Sequence, residues 1–507
     1  MTDPISYQDY PKEPVVIEGL SVKFMKASGF VPVELDGRIL KIAIVDPDDR
    51  EAVDALKFAF DLDVTPLKGR PEDIENSIER LYGAGRQSIE NIIEEADKDV
   101  YEISAEKEDD VDHLRDMASE APIIRLVNRM ILNAVESNAS DIHFEPFETE
   151  FKVRYRIDGI LIEAEFPPRR LQSAIISRVK IMAQLDIAER RLPQDGRIKL
   201  KISDREIDFR VSTIPTLFGE SVVMRILDRE NLQLDLQKIG FPDDLRKKYS
   251  KLIEQPYGMI LVTGPTGSGK TSTLYTTLHK INSPENKIIT LEDPVEYQLS
   301  GINQIQVNPK IGLTFAGGIR AIVRQDPDII LVGEIRDKET AEIAIQSALT
   351  GHLLFSTIHT NDAPGAVTRL LDMGVEHFLL SSTLLGVLAQ RLVRKICPVC
   401  KTCDDVEERF IRLIRADGIS IGTDECSKGG GCDSCRRTGF SGRTAIFEYL
   451  AVDEAIRQEI INRSDTGKIR EQAMKKGMRT LRQDGWQKVA EKITTVSEVL
   501  RVTLEQS

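Results

Sequence analysis

The chain has 507 residues, 41% of them hydrophobic and 30% charged, enough to bury several cores rather than one. Acidic residues outnumber basic ones by 82 to 68, a net charge of −14 with an isoelectric point near 5.2, which argues against nucleic acid as the main partner because phosphate backbones are bound by basic surfaces, though it leaves room for a local basic groove. No apolar run approaches the roughly 18 residues of a membrane helix, and the opening MTDPISYQDYPKEPV lacks the basic and apolar regions of a secretory leader, so a cytoplasmic multidomain protein is expected.

Residues 1–92 read as a small mixed unit without a catalytic constellation. IAIVDPDD (42–49) has the pattern of a strand ending in a turn, and Pro71 to Tyr82 that of a helix. Residues 93–120 read as a solvated linker. Between Glu94 and Glu120 twelve acidic residues stand against Lys98, Lys107 and Arg115, with the dense patch Glu108-Asp109-Asp110. A second, α+β domain is expected over 121–238. It opens with Pro122 in the first turn of a helix whose apolar positions Ile123, Leu126, Val127, Met130, Ile131 and Ala134 share one face. In FKVRYRIDG (151–159) Phe151, Val153, Tyr155 and Ile157 alternate with Lys152, Arg154, Arg156 and Asp158, and IDFRVST repeats this with Ile207, Phe209 and Val211 inward. The arginines of these strands, Arg210 among them, therefore face outward, either simply solvated or reaching a neighbouring subunit.

From 239 onward apolar runs alternate with helical stretches, the pattern of an α/β sheet with helices on both faces. The run MILVTGPTGSGKTS (259–272) predicts a phosphate cradle. Gly264, Gly267 and Gly269 let the backbone fold back so that the N–H groups of Gly264, Pro265, Thr266, Gly267, Ser268, Gly269, Lys270, Thr271 and Ser272, proline excepted, are available to phosphate oxygens, while the following helix adds its positive end. Lys270 supplies a charge for the β- and γ-phosphates of ATP, and the Thr271 hydroxyl a ligand for Mg²⁺. Three strand ends then bring acids and histidines. IITLEDPVEY (288–297) delivers Glu292, Asp293 and Glu296, acids able to orient water or Mg²⁺, against a plain turn as the alternative. DIILVGEIRD (328–337) delivers Glu334, expected as general base, with Gly333 where a metal-holding acid would be usual. TGHLLFSTIHTNDA (350–363) carries His352 and His359; the latter ends a strand on a polar turn and suits a γ-phosphate sensor.

The six cysteines lie within forty residues of one another. Cys397-Pro-Val-Cys400 and Cys432-Asp-Ser-Cys435 form two C-x-x-C knuckles, together a four-thiolate Zn²⁺ site of structural type, with Cys403 competing with Cys400 as a ligand and Cys426 extra. The segment 451–507 is helical in pattern and charge-rich, with Trp486 as its large aromatic anchor.

The phosphate loop, LEDPVEY, GEIRD and GH…STIHTND, in this order and at close intervals, resemble the motifs of the secretion ATPase superfamily. SDIHFEP (140–146), RYRIDG (154–159) and LPQDGR (192–197) further resemble its bacterial type II secretion and type IV pilus assembly branch, over about residues 120–450. The resemblance implies a RecA-like P-loop ATPase domain (239–507) holding the tetracysteine subdomain (397–442), a PAS-like middle domain before it, and an N-terminal domain that docks on an inner-membrane secretion protein. It further implies a ring-shaped homohexamer, active at the cytoplasmic face of the inner membrane, that spends ATP on pseudopilus assembly and the export of folded proteins. The family's cross-interface arginines correspond to Arg210 and Arg225, with Arg320 and Arg336 as further phosphate contacts. A type IV pilus assembly ATPase is the near alternative, and a nucleic-acid-dependent helicase the distant one.

Overall fold

The computed structural model describes residues 111–503 apart from 203, 204, 229–233, 423 and 424, together with the greater part of 28–78 and isolated positions before it. Near the N-terminus, strands β1 (Phe30–Asp36), β2 (Ile39–Ile44) and β3 (Asp63–Lys68) form a sheet in that order, β1 antiparallel and β3 parallel to β2. A parallel pair needs a crossover, and the helix Arg50–Phe60 supplies it. Of the helix expected over Pro71 to Tyr82, residues 71, 73, 74, 77 and 78 are described, and all are helical, with Ile74 and Ile78 buried.

Most of the expected linker, residues 93–110, lies outside the described residues. Its last part does not behave as solvated chain: Val111–Ser119 is a helix, because Leu114, Met117 and Ala118 recur at i, i+3 and i+4 and are buried despite the acidic surroundings. The following helix Ala121–Glu136 has Pro122 in its first turn, and the six apolar residues predicted for its inner face are at most 1% exposed. A six-stranded sheet accompanies these helices: β4 (Ala139–Pro146), β5 (Phe151–Ile157), β6 (Ile160–Glu165), β7 (Gln194–Ile202), β8 (Arg205–Thr216) and β9 (Gly219–Asp228), in the order β6-β5-β4-β9-β8-β7. The alternation read from the sequence holds for Phe151, Val153 and Tyr155 and for Ile207, Phe209 and Val211, all buried, while Ile157 at the end of β5 is only half-buried. Arg154 is committed locally, donating to both oxygens of Glu145 at 2.5 and 2.7 Å.

The largest sheet contains β10 (Gly258–Thr263), β11 (Ile288–Glu292), β12 (Asn303–Gln306), β13 (Ile329–Val332), β14 (Leu353–Ile358), β15 (Leu384–Ile396) and, after the short ribbon β16 (Lys401–Cys403) and β17 (Ser427–Gly429), β18 (Phe440–Ala451). Their order is β12-β11-β13-β14-β10-β15-β18, parallel throughout except for β18, which runs antiparallel to β15. β10, β11, β13 and β14 are buried at every position, as strands covered on both faces must be. Alternate residues of β10 serve two separate cores: Met259 and Leu261 pack in one, Ile260 and Val262 in the other.

Candidate functional site

Parallel pairing aligns the carboxyl ends of neighbouring strands, and in this sheet that alignment gathers the predicted chemistry. Thr263 at the end of β10 pairs with Ile358 on one side and Ala389 on the other, while Leu291 pairs with Val332. The phosphate loop after Thr263 therefore lies beside His359, which follows Ile358, and beside Glu292 and Glu334 at the ends of β11 and β13. These strand ends surround a cavity of about 150 Å³ lined by Lys270, Thr271, Glu292, Glu334 and His359 among others. The position is the one expected for a ligand in an open α/β sheet, outside the carboxyl ends and next to the strand where the order reverses.

The loop turns on residues with left-handed backbone: Gly264, Gly267 and Gly269 have φ of 150°, 79° and 86°. Gly264 and Gly269 are also too close to β15 for a side chain, since a Cβ at Gly264 would stand 2.5 Å from the Gln390 carbonyl oxygen. From Gly269 the helix Lys270–Ile281 begins, with its N-terminus towards the cavity and Thr271 exposed in its first turn. Lys270 Nζ donates to the carbonyl oxygens of Gly264 (2.7 Å) and Pro265 (3.0 Å). Burial pulls its pKa down to about 8; Glu334 opposes that fall and Arg391 adds to it.

Glu334 is fixed by backbone on both sides: the Thr357 hydroxyl donates to the Gly333 carbonyl at 2.7 Å, and Ile335 N–H to the Thr357 carbonyl at 2.9 Å. One of its oxygens accepts from Arg336, and the other lies 3.5 Å from His359 Nε2. The turn that carries His359 is tied in turn to β10, Thr263 Oγ1 donating to the Ile358 carbonyl at 2.9 Å and standing 2.8 Å from Thr360 Oγ1. Glu292 is buried, and its carboxylate accepts from Tyr275 (2.5 Å), Thr290 (2.6 Å) and Gln304 (3.2 Å). A carboxylate has about four acceptor positions, so Glu292 keeps about one for water or a metal-bound ligand.

Other predicted residues lie elsewhere. His352 is structural, its Nδ1 standing 2.8 Å from the Ser347 carbonyl at the turn before β14. Arg320 pairs with Glu339 at 2.7 Å. Arg210 and Arg225 are on β8 and β9, half-buried and exposed respectively, and neither lines the cavity. Two neighbours of the loop were not singled out by sequence. Gln390 and Arg391 follow Ala389 on β15 and form the floor beneath the loop; Arg391, buried, donates to the Asn361 carbonyl at 3.0 Å. Their side chains are polar interruptions of an apolar run, LLGVLAQRLV, and that was the signal present in the sequence.

The four knuckle cysteines come together because β15 and β18 pair to their ends: Ile396 faces Phe440, so the segments just beyond meet. The sulfurs of Cys397, Cys400, Cys432 and Cys435 all lie within 4.8 Å of one another, with 3.9 Å between Cys397 and Cys432 and 3.7 Å between Cys400 and Cys435. A tetrahedral thiolate site with metal–sulfur bonds of about 2.3 Å has sulfurs roughly 3.8 Å apart, so the donor set fits such an ion; a disulfide, at roughly 2 Å, is excluded. N–H groups of Gly431 (3.3 Å to Cys400) and Gly439 (3.3 Å to Cys435) point at the sulfurs, as suits thiolates. Cys403 is exposed on β16 and outside this cluster, which resolves its competition with Cys400, and Cys426 is a buried member of the adjoining apolar core.

Comparison with known proteins places this geometry. Residues 116–501 match the family model described as Type II/IV secretion system protein, and residues 3–88 match the MshEN domain. The Type II secretion system protein E of Xanthomonas campestris pv. campestris is 52% identical over 494 residues, covering 96% of this chain and 85% of that protein. The Type IV pilus assembly ATPase PilB of Myxococcus xanthus is 45% identical over 498 residues, 98% of this chain and 88% of its own length. Among solved structures, the Legionella pneumophila ATPase DotB superposes with a TM-score of 0.56 over 74% of this chain and 95% of that one, at 21% identity, a likeness of fold. With its phosphate loop, acidic strand ends and histidine turn on one sheet edge, the chain belongs to the type II/IV secretion system protein family and, within it, to the type II secretion ATPases of the E type.

Proposed function

We propose that this chain binds ATP with Mg²⁺ in the cavity at the edge of the large sheet and hydrolyses it as a homohexamer, driving assembly of a pseudopilus for type II export. The observation that carries this is the convergence of Lys270, Thr271, Glu292, Glu334 and His359 on one cavity from four strand ends. Loop N–H groups and Lys270 hold the phosphates, and Thr271 offers its hydroxyl to Mg²⁺, which when bound neutralises phosphate charge. Glu334, oriented by the Gly333 and Ile335 backbone, takes the proton of an attacking water. His359, 3.5 Å from Glu334, senses the γ-phosphate. Glu292 orients water from its remaining acceptor position. Arg210 and Arg225 act in trans, reaching the phosphates of a neighbouring subunit, so that turnover depends on assembly. The four thiolates hold Zn²⁺ in a closed structural site. The N-terminal unit docks the motor on an inner-membrane secretion protein, which brings an otherwise cytoplasmic chain to the membrane face; no helix among the described residues is long and apolar enough to cross a membrane.

The test is ATP hydrolysis with Mg²⁺ by the full chain held as a hexamer on a six-fold scaffold. Glu334→Gln is expected to abolish turnover while nucleotide still binds; a wild-type hexamer without turnover refutes the reading. The 45% identity to a pilus assembly ATPase supports a second reading, in which the same motor builds a pilus. Deleting the gene and scoring secreted enzymes against twitching motility separates the two.

A further inference from the structure

The floor of the phosphate loop holds two polar groups without hydrogen-bond partners. Ser268 is 3% exposed and Gln390 fully buried, yet neither Ser268 Oγ nor Gln390 Nε2 is bonded. Leaving such groups buried and unsatisfied is destabilising. Both lie against the loop: a Cβ at Gly264 would stand 2.6 Å from Ser268 Oγ, and one at Gly269 would stand 2.8 Å from Gln390 Nε2. The orientation of the Gln390 amide is set from below, since Thr273 Oγ1, in the helix that follows the loop, donates to Gln390 Oε1 at 2.7 Å. Its N–H groups are thereby turned towards the glycine turn.

Lys270 explains why donors are kept there. Its ammonium is bonded to the carbonyls of Gly264 and Pro265. To meet a phosphate it must leave them, and a buried carbonyl that loses a charged donor is destabilised unless another takes over. Pro265 keeps the Ser268 N–H, at 3.2 Å. Gly264 needs a replacement. We infer that Ser268 and Gln390 are positioning residues that relieve Lys270: as its ammonium moves to the phosphates, Gln390 Nε2 donates to Ser268 Oγ and the Ser268 hydroxyl donates to the Gly264 carbonyl. A continuous chain from Thr273 through Gln390 and Ser268 to Gly264 then holds the loop in its phosphate-binding shape. The inference rests on the nucleotide-binding reading above and extends it to the floor.

The experiment uses the full-length chain, with the dissociation constant of ATPγS and the thermal midpoint without nucleotide measured together. Ser268→Ala removes the hydroxyl, and the double variant Thr273→Val/Gln390→Met removes the lower half of the chain while leaving no widowed hydroxyl. Each is expected to weaken ATPγS binding about tenfold, the worth of one well-made hydrogen bond, with a midpoint unchanged or raised, because an unpartnered polar group has been deleted. Unchanged affinity in both variants overturns the inference, as does a midpoint that falls in step with affinity, which would mark a plain packing role. Should wild type itself fail to bind ATPγS, the nucleotide reading falls, and the inference with it.

Discussion

Lys270 is the residue at which chemistry and stability pull in opposite directions. Its pKa of about 8, against an ordinary 10.5, arises from burial. Between those values the unfolded chain binds the proton more readily than the folded one, so this group makes the fold more stable as pH rises through that window. On the proposed reading nucleotide binding needs the ammonium, so affinity runs the other way. Titrating the ATP dissociation constant from pH 7 to pH 9 is expected to show weakening centred near 8, and Glu334→Gln, which removes the charge holding that value up, is expected to move the midpoint lower. Much of this site was legible at residue level. The loop, Glu334 and His359 are each marked by a glycine, an acid or a histidine at the end of an apolar run. Gln390 and Arg391 were not, because what makes them neighbours of the loop is the register between β15 and β10, which nothing local in the sequence encodes. The carboxylate of Glu292 was visible, but not that Tyr275, Thr290 and Gln304 already occupy most of it.

Among the elements, the last helix is the one whose part sequence could not supply. Val496–Thr503 is fastened to β15 through Glu498, 2% exposed, which accepts from Arg394 Nη2 (2.7 Å) and Arg394 N–H (3.0 Å) and from Arg501. Burial alone would raise its pKa, and the bonds from Arg501 and Arg394 outweigh that, holding it near 2. The stabilisation is therefore complete above the ordinary 4.5 and lost as pH falls towards 2. Glu498→Gln, which leaves two guanidinium groups without their anion, is expected to destabilise by about 3 kcal/mol, read as a shift of the denaturation midpoint at pH 7. Trp486, legible as an anchor, is fully buried against Ile411 and Ile414, and its indole N–H donates to Asp417 at 2.8 Å. For the thiolate cluster, one zinc per chain is expected in the purified protein and none in Cys397→Ser, measured by metal analysis; a full complement of zinc in that variant would refute the ligand set.

At the scale of the whole molecule, the α/β reading followed from alternating apolar runs and helices, and the order of strands did not, since seven strands admit many pairings. The proposed trans role of Arg225 belongs to the assembly rather than to the single chain. Hexamers of Arg225→Ala or of Glu334→Gln alone are expected to be inactive, whereas mixing the two regains hydrolysis, because some interfaces then pair an intact Glu334 with an intact Arg225. No recovery on mixing would place Arg225 outside the reaction.

The antiparallel pair β15 and β18 has a mechanical consequence. Gln390, under the phosphate loop, and Cys397, in the four-cysteine cluster, are joined by a run of extended chain roughly 23 Å long, paired with β18 from Gln390 to Arg394 and, after a register shift, again at Ile396. Over that length a tilt of about three degrees at the loop corresponds to roughly 1 Å at the far end. A cobalt ion held by the four cysteines would turn that end into a spectroscopic pointer for what the loop is doing.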